Sequence, residues 1–478
     1  MHSAQRALIG LTMTLTPALR DLYAQRRLHL AQQLGPGGIA LVPTAPSYAR
    51  NRDSEFPYRH DSYFYYLCGF TEPDAWLLIT ADGETTLLCQ PKDLEREIWD
   101  GYRLGPDAAP AALGVQQAWS SQDIEQRLPR LLENRHTVWY PFATHQGLPQ
   151  RLDGWLSKVR ARVRFGVQCP SQQRDLCGLL DEMRLVKDDH ELALMRRAAR
   201  ISADAHVRAM QVCAQRLRAG ETVREYHLDA ELLHEFRTHG SQFPAYGSIV
   251  AAGANACVLH YRADAAEIRD GELVLIDAGC ELDGYASDIT RTFPANGRFS
   301  AAQRDLYDLV LASQTAAVQA TRAGARFTDP HDATVRVLAQ GLLDLGLLQS
   351  NVHGTVDDVI EQRHYFRFYM HRTGHWLGMD VHDCGSYVEP GEAARGTPRR
   401  DPLSGETIND RPSRILRPGM VTTIEPGLYV RAADDVPQAF WNLGIRIEDD
   451  AVITPQGCEL ITRDVPVDPV AIEALMQA

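Results

Sequence analysis

The sequence predicts two domains: an α/β N-terminal domain over residues 1–180 and an α+β domain over residues 181–478 whose sheet is mostly antiparallel. Three observations carry this. The strand-like runs GIALVP, AWLLIT and TTLLCQ follow a helical stretch from Thr16 to Leu34, separated by Pro, Gly and Asp punctuation. Next, a long helical pattern rich in Ala, Leu, Arg and Glu runs from Asp175 to about Arg218 and sets a boundary near Leu180. Beyond it, GSIVAAGANACVLHY, GELVLIDAGC, YASDITRTF, GMVTTIEPGLYV and GIRIEDDAVIT read as strands, with helices over Ala301 to Arg322 and His331 to Leu345.

Composition narrows the function classes. The chain has 478 residues, 44% of them hydrophobic and 23% charged, enough for two cores in an ordinary globular protein. A net charge of -13 provides no sequence-wide basic field for nucleic acid or an anionic membrane. Nine scattered cysteines without a CxxC pair read as reduced core thiols, not a disulfide framework. The N-terminal apolar run Ala7 to Leu15 is broken by Gly10, Thr12 and Thr14 and lacks a cleavage signal. No stretch approaches the roughly 20 apolar residues of a membrane span. The expected location is the cytoplasm.

In LVLIDAGCELDGYASDITRTF, an apolar run ends on Asp277, turns through Asp283-Gly284 and carries Asp288 on the return. A two-residue turn there makes the sum of paired residue numbers odd and puts both aspartates on one face, directly opposite or diagonal. Such side chains lie about 5–8 Å apart at Cβ, close enough to raise one pKa strongly unless a cation lies between them. Either aspartate alone reads as a solvated turn residue; the pair reads as a site.

HRTGHWLGMDVHD supplies His371, His375 and His382 but is not HExxH, because Arg372 stands in the glutamate position. Any metal here needs carboxylates from elsewhere. Glu425 in VTTIEPG and Glu448 in GIRIEDD each close an apolar run, and strand alternation puts Arg446 on the face of Glu448. Asp277, Asp288, His375, Glu425 and Glu448 make four carboxylates and one imidazole, a set suited to two fairly hard divalent ions.

The succession DAG, SDITRTF, GHWLGMDVHD, TIEPG and GIRIEDD resembles the ligand signature of the pita-bread metallopeptidases, with aminopeptidase P as the nearest form. RNRDSEFPYRHDSYFYYLCGFTEPDA and EIWDGYRLG resemble its N-terminal region, so the likeness covers nearly the whole chain. It implies a creatinase-like first domain, a pita-bread catalytic domain, and removal of an N-terminal residue that precedes proline. It also makes Asp277 a ligand of one metal, His375 and Glu425 ligands of the other, and Asp288 and Glu448 bridges. His260 and His382 match substrate-contacting histidines, and Arg446 an arginine that orients the bridging glutamate. His371 joins His260 and His382 as a substrate-binding candidate. Trp99 matches a segment that reaches a neighbouring subunit's active site, which implies a homodimer or homotetramer. The expected metal is manganese, with cobalt or zinc compatible with the same ligands.

Peptide hydrolysis needs a nucleophile at neutral pH, stabilisation of the oxyanion, and a proton for the leaving nitrogen. Two metals supply the first by lowering the pKa of a bound water. His382 or His260 is the candidate oxyanion donor and Glu425 the proton shuttle. Proline nitrogen is a tertiary amide without N–H, so peptidases built around a donor there fit it badly. Two alternatives stay open: a prolidase confined to dipeptides, and a non-catalytic pita-bread module that binds peptides or proteins. One departure from the family pattern is the tract Val388 to Ser413, where a shorter connection is expected. It reads either as a surface insertion or as a lid whose Arg395, Arg399, Arg400 and Arg411 clamp a substrate carboxylate. The aromatic run Tyr63 to Phe70 reads as core.

Overall fold

The computed structural model describes residues 15–262, 265–394, 399–400, 407–408 and 412–477. Most of the N-terminal run Ala7 to Leu15 therefore lies outside the described residues, as do Arg395, Arg411 and the side chain of Arg399. The chain divides into two compact units, Met1–Met183 and Arg184–Ala478.

In the first unit, helix α1 (Pro17–Gln33) is capped by Thr16, whose hydroxyl accepts the Leu19 N–H at 3.3 Å. Pro17 occupies a position where no intrahelical N–H bond is lost. GIALVP, AWLLIT and TTLLCQ form the buried strands β1 (Gly38–Pro43), β2 (Trp76–Thr80) and β3 (Thr85–Cys89). Strands β4 (Gln117–Ser120), β5 (Thr137–Tyr140) and β6 (Gln172–Asp175) complete a sheet in the order β4-β3-β2-β1-β5-β6. Strand β1 runs antiparallel to β2 and parallel to β5. Helix α2 (Ser62–Cys68) buries Phe64, Tyr66 and Leu67, and the run ends on buried Phe70. Helix α3 (Leu94–Asp100) buries nothing.

The long helical pattern of the sequence resolves into two helices. Asp188 starts helix α4 (Asp189–Arg218) with a capping box: its carboxylate accepts the Glu191 N–H at 2.9 Å, and Glu191 accepts the Asp188 N–H at 3.0 Å. Caps of this kind are worth about 1 kcal/mol and end the preceding helix at Leu185.

The second unit continues through β7 (Val223–Arg224), α5 (Glu225–Thr238), β8 (Ile249–Ala252), β9 (Glu267–Ile268) and β10 (Leu273–Asp277). Strands β11 (Cys280–Leu282), β12 (Tyr285–Ala286) and β13 (Thr290–Pro294) follow, then helices α6 (Ala301–Ala320) and α7 (Asp329–Asp344). The last strands are β14 (Val421–Ile424), β15 (Gly427–Val430), β16 (Leu443–Arg446), β17 (Asp449–Thr454) and β18 (Gly457–Leu460). All pairings among its described residues are antiparallel, as the sequence predicts. Three strands order as β8-β10-β13 and three as β14-β17-β18, while β15 and β16 form a hairpin. A bridge from Thr290 to Glu448 links β13 to the segment between β16 and β17. Helices α4, α5, α6 and α7 pack over these strands around one core that includes Met210, Val274, Phe293, Val310 and Ile445.

Four runs read from sequence as continuous strands are interrupted. GSIVAAGANACVLHY is strand only to Ala252; Gly253 takes φ +53°, and a short turn of 3₁₀ helix follows. Asp288 falls between β12 and β13, Glu425 between β14 and β15, and Glu448 between β16 and β17. An unbroken strand sends successive side chains to opposite faces, so the breaks at Glu425 and Glu448 release these two from their strands' alternation, whereas the pairing on either side of Asp288 keeps one register. The long tract Val388 to Ser413 is closed at its base: Val388 bridges Ser413, and the Glu389 N–H donates to Pro412 O at 3.0 Å.

Candidate metal centre

The hairpin register places the first two carboxylates. Leu282 pairs with Tyr285 across Asp283 (φ +49°) and Gly284 (φ +81°), the two-residue turn of positive φ that suits twisted strands. The same register runs down to Asp277 opposite Thr290, which makes Asp288 the diagonal neighbour of Asp277 on the same face. Gly279 is obligatory, because a Cβ there would lie 1.8 Å from Ser287 O. Helix α4 pins both sides of this crossing: Ser202 Oγ lies 2.6 Å from Ser287 Oγ, and His206 Nε2 lies 2.9 Å from Ala278 O. The Tyr246 hydroxyl reaches both carboxylates, at 2.6 Å from Asp277 Oδ1 and in contact with Asp288 Oδ1.

His375 comes from a loop laid beside β14. Its carbonyl accepts the Thr423 N–H at 3.0 Å, and its ring Nδ1 donates to Trp376 O at 2.9 Å. That bond fixes the tautomer, so the basic Nε2 faces Asp288 Oδ2 at 3.5 Å and Glu425 Oε1 at 3.8 Å. Glu425 is held by its own N–H, which donates to Thr373 O at 2.8 Å. Glu448 Oε2 accepts the Thr290 hydroxyl at 2.6 Å. Donor atoms of Asp288, His375 and Glu448 all lie within 4.8 Å of one another.

The electrostatics show what such a cluster needs. Burial, then His375 and Arg446 pulling down and Asp288 and Asp277 pushing up, leave Glu425 raised to about 7. Burial also raises Asp288 and lifts Glu448 well above the carboxylate range, with neighbouring acids adding to both. Burial alone would lower His375, but the Asp288 hydrogen bond and the Glu425 charge bring it to about 9. Buried acids that raise one another's pKa are relieved by cations among them, and oxygen-rich ligation with one imidazole fits hard or borderline divalent ions. The residues present fit the metals the sequence implies.

Arg446 differs from expectation. Its Nη2 lies 2.5 Å from Asp277 Oδ2, and it reaches Glu448 through Thr290, whose Oγ1 accepts from Nε at 3.1 Å. The strand interruption after β16 lets Thr290 stand between the two side chains. Arg446 Nη1 also donates to the Tyr429 hydroxyl at 2.9 Å, which in turn donates to His371 Nε2 at 2.9 Å. His371 Nδ1 lies 2.7 Å from Arg372 O. Both ring nitrogens of His371 are thereby engaged within the chain, and burial holds it neutral, with a pKa of about 3.

His382 is exposed, and its ring centroid lies 4.4 Å from that of His375. Burial of part of the ring and the charge of His375 lower its pKa. Its loop is anchored by Asp383, which takes Arg184 at 2.6 Å and Lys187 at 2.8 Å, all three buried. His260 is exposed and close enough for its charge to depress both His371 and His382. Trp99 belongs to the other unit, on α3, and is 85% exposed.

Sequence reasoning missed Tyr246, Thr290, Tyr429 and Gln314. Gln314 Nε2 on α6 donates to Asp449 Oδ2 at 2.9 Å and to Ile447 O at 3.2 Å, supporting the segment that carries Glu448. Beneath it, Arg291 and Asp449 form a wholly buried ion pair at 2.8 Å. For Arg291 the signal in the sequence is a charged side chain inside the apolar run ITRTF.

Comparisons with known proteins define the family of the chain. The model of metallopeptidase family M24 matches residues 193–455, and that of the aminopeptidase P N-terminal domain matches residues 23–139. The Xaa-Pro aminopeptidase of Escherichia coli K12 is 43% identical over 96% of this chain and 98% of its own length. Human Xaa-Pro aminopeptidase 3 is 32% identical over 94% of this chain and 85% of its own. Among solved structures, Pseudomonas aeruginosa aminopeptidase PepP superposes with a TM-score of 0.88 at 46% identity, covering 98% of this chain and 99% of that one. A variant of E. coli aminopeptidase P in complex with substrate gives 0.87 at 42% identity over 96% of this chain and 98% of that one. This chain belongs to metallopeptidase family M24, with an aminopeptidase P-type N-terminal domain.

Proposed function

We propose that the chain is an Xaa-Pro aminopeptidase that releases the first residue of peptides with proline in second position. The observation that carries this is the convergence of Asp277 and Asp288 from one hairpin and of His375, Glu425 and Glu448 from three other segments onto one cluster. In this reading they would hold two divalent ions, manganese before cobalt or zinc, with Asp288 and Glu448 serving as ligands of both. When bound, such ions supply a nucleophile at neutral pH and neutralise charge developing on the scissile carbonyl.

The chain's own residues do the rest. Glu425, whose Oε1 lies 3.8 Å from His375 Nε2, is the group assigned to carry a proton to the proline nitrogen. His382, its pKa lowered, stays neutral there and keeps a ring N–H to donate to the oxyanion. His260, exposed and near both His371 and His382, is the second substrate-contacting histidine in this reading. Arg446 holds Asp277 and, through Thr290, orders Glu448.

Exposed Leu94, Ile98, Trp99 and Tyr102 form an apolar patch in the first unit. It supports a homodimer or homotetramer in which Trp99 lies at a neighbour's substrate rim. The nine free cysteines support a location in the cytoplasm.

The deciding experiment compares an Xaa-Pro-Yaa tripeptide, an Xaa-Pro dipeptide and an Xaa-Ala-Yaa tripeptide at equal concentration. Expected is cleavage of the tripeptide at least as efficient as that of the dipeptide, with a loss of orders of magnitude when alanine replaces proline. Cleavage confined to the dipeptide would make the protein a prolidase.

A further inference from the structure

Glu225 opens helix α5 with its side chain fully buried (0% exposed), and nothing in the chemistry above uses it. Its place is set by the pairing of β7 with β9 and by its own N–H, which donates to Ala266 O at 3.1 Å. The carboxylate gathers three donors from one stretch of chain. Ala252 N–H and Asn255 Nδ2 each lie 2.9 Å from Oε1, and the Tyr261 hydroxyl lies 2.9 Å from Oε2. Asn255 Nδ2 also lies 3.1 Å from the Tyr261 hydroxyl, which closes the cluster.

The turn between these contacts, from Gly253 to Tyr261, carries His260. Its other side is fixed by the β15–β16 hairpin that bears Tyr429 and Arg446. Arg431 Nη2 donates to Cys257 O at 3.0 Å, and a Cβ on Gly444 would lie 2.3 Å from Ala256 O. The His260 turn is thus held between a buried carboxylate and the hairpin that contacts Asp277. Hydrogen bonds to a charged acceptor are stronger than neutral ones, and a fully connected buried network selects a single conformation. Packing alone would tolerate an apolar residue at this position; a carboxylate with three directional partners sets where the next exposed side chain points.

We propose that Glu225 is a positioning residue for His260: it fixes the Gly253–Tyr261 turn so that the imidazole is presented to substrate, and its effect on turnover passes through that ring. The proposal rests on the reading of His260 as a substrate-contacting group.

A double-mutant cycle between Glu225→Gln and His260→Ala in the metal-loaded enzyme tests it. The glutamine keeps the shape and accepts at Oε1, but its Nε2 cannot accept the Tyr261 hydroxyl. Expected is a fall in kcat of about 10-fold, the scale for losing an outer support of a site, with bound metal at the wild-type level. In the His260→Ala background the same substitution should change nothing. Tyr261→Phe, which leaves the carboxylate in place, should shift kcat in the same direction by less, and it serves as the probe if Glu225→Gln fails to fold. A second readout needs no turnover: the His260 ring resonances of histidine-labelled, zinc-loaded protein should shift in both single variants. Additive losses in the cycle overturn the proposal, as does loss of metal from Glu225→Gln, since Glu225 would then act on the fold or the ligands. Wild-type turnover in His260→Ala removes the substrate-contact reading itself, a separate outcome that takes the proposal with it.

Discussion

Arg446 Nη2 lies 2.5 Å from Asp277 Oδ2, while its hydrogen-bonded link to Glu448 runs through the Thr290 hydroxyl. The guanidinium therefore steadies one ligand directly and another at one remove. Arg446→Ala should lower kcat by about 10- to 100-fold, the range for outer-shell partners. Bound metal after dialysis should stay at the wild-type level, because removing a positive charge from among carboxylates does not weaken their attraction for a cation. Metal loss in this variant would show that the geometry Arg446 imposes on Asp277 outweighs its charge.

Asp288 accepts the Tyr246 hydroxyl, faces His375 Nε2 at 3.5 Å and groups with Glu448, so it touches most of the cluster. Asp288→Ala should abolish turnover and lower bound metal, and the melting temperature of the metal-free protein should not fall, since the substitution removes one of several mutually repelling acids. Full activity at saturating metal would refute the shared-ligand role.

Much of this centre is legible in the sequence because its geometry is local. The turn at Asp283-Gly284 fixes the register, and the register fixes which face Asp277 and Asp288 share. The strand interruptions at Asp288, Glu425 and Glu448 were less legible. An apolar run keeps its strand character on both sides of a break, and what breaks it is a pairing with distant chain, such as the Glu448 N–H to Thr290 O at 3.0 Å. Supporting residues are the least legible. Gln314 reads as an ordinary polar position on an amphipathic helix until its partner Asp449, 135 residues away, is folded against it. Alternation within one strand puts Arg446 on the face of Glu448; its contact with Asp277 is one between strands, which alternation does not contain.

His375 and His382 stand with ring centroids 4.4 Å apart but should separate cleanly in function. His375 has its Nδ1 proton tied to Trp376 O and turns Nε2 into the acid cluster, so His375→Ala should lose metal along with activity. His382 is exposed beside it, and His382→Ala should cut kcat by roughly 10² or more, the cost of one transition-state donor, with metal content unchanged. Metal analysis of the two purified variants checks this, and the opposite pattern would interchange their roles.

Buried His206 and partly buried His331, both outside the ligand set, give the fold an acid-sensitive component. Burial lowers His206, whose ring meets Ala278 O, to about 4, with Arg291 adding to the effect. Burial likewise lowers His331, beside Thr373 Oγ1, to about 4, with Arg372 and Arg363 adding to it. Unfolded histidine titrates near 6.5, so between about pH 6.5 and pH 4 the unfolded chain binds more protons than the folded one. Stability from these groups is therefore fully present above about pH 6.5 and is lost as pH falls towards 4, on the order of 3 kcal/mol per histidine. Denaturant unfolding of the metal-free protein across this range should show a steeper pH dependence in wild type than in His331→Gln, by close to one proton at about pH 5. Because the carboxylates are common to both proteins, the difference between the two profiles isolates the histidine, and parallel profiles would mean that His331 is already protonated in the folded state.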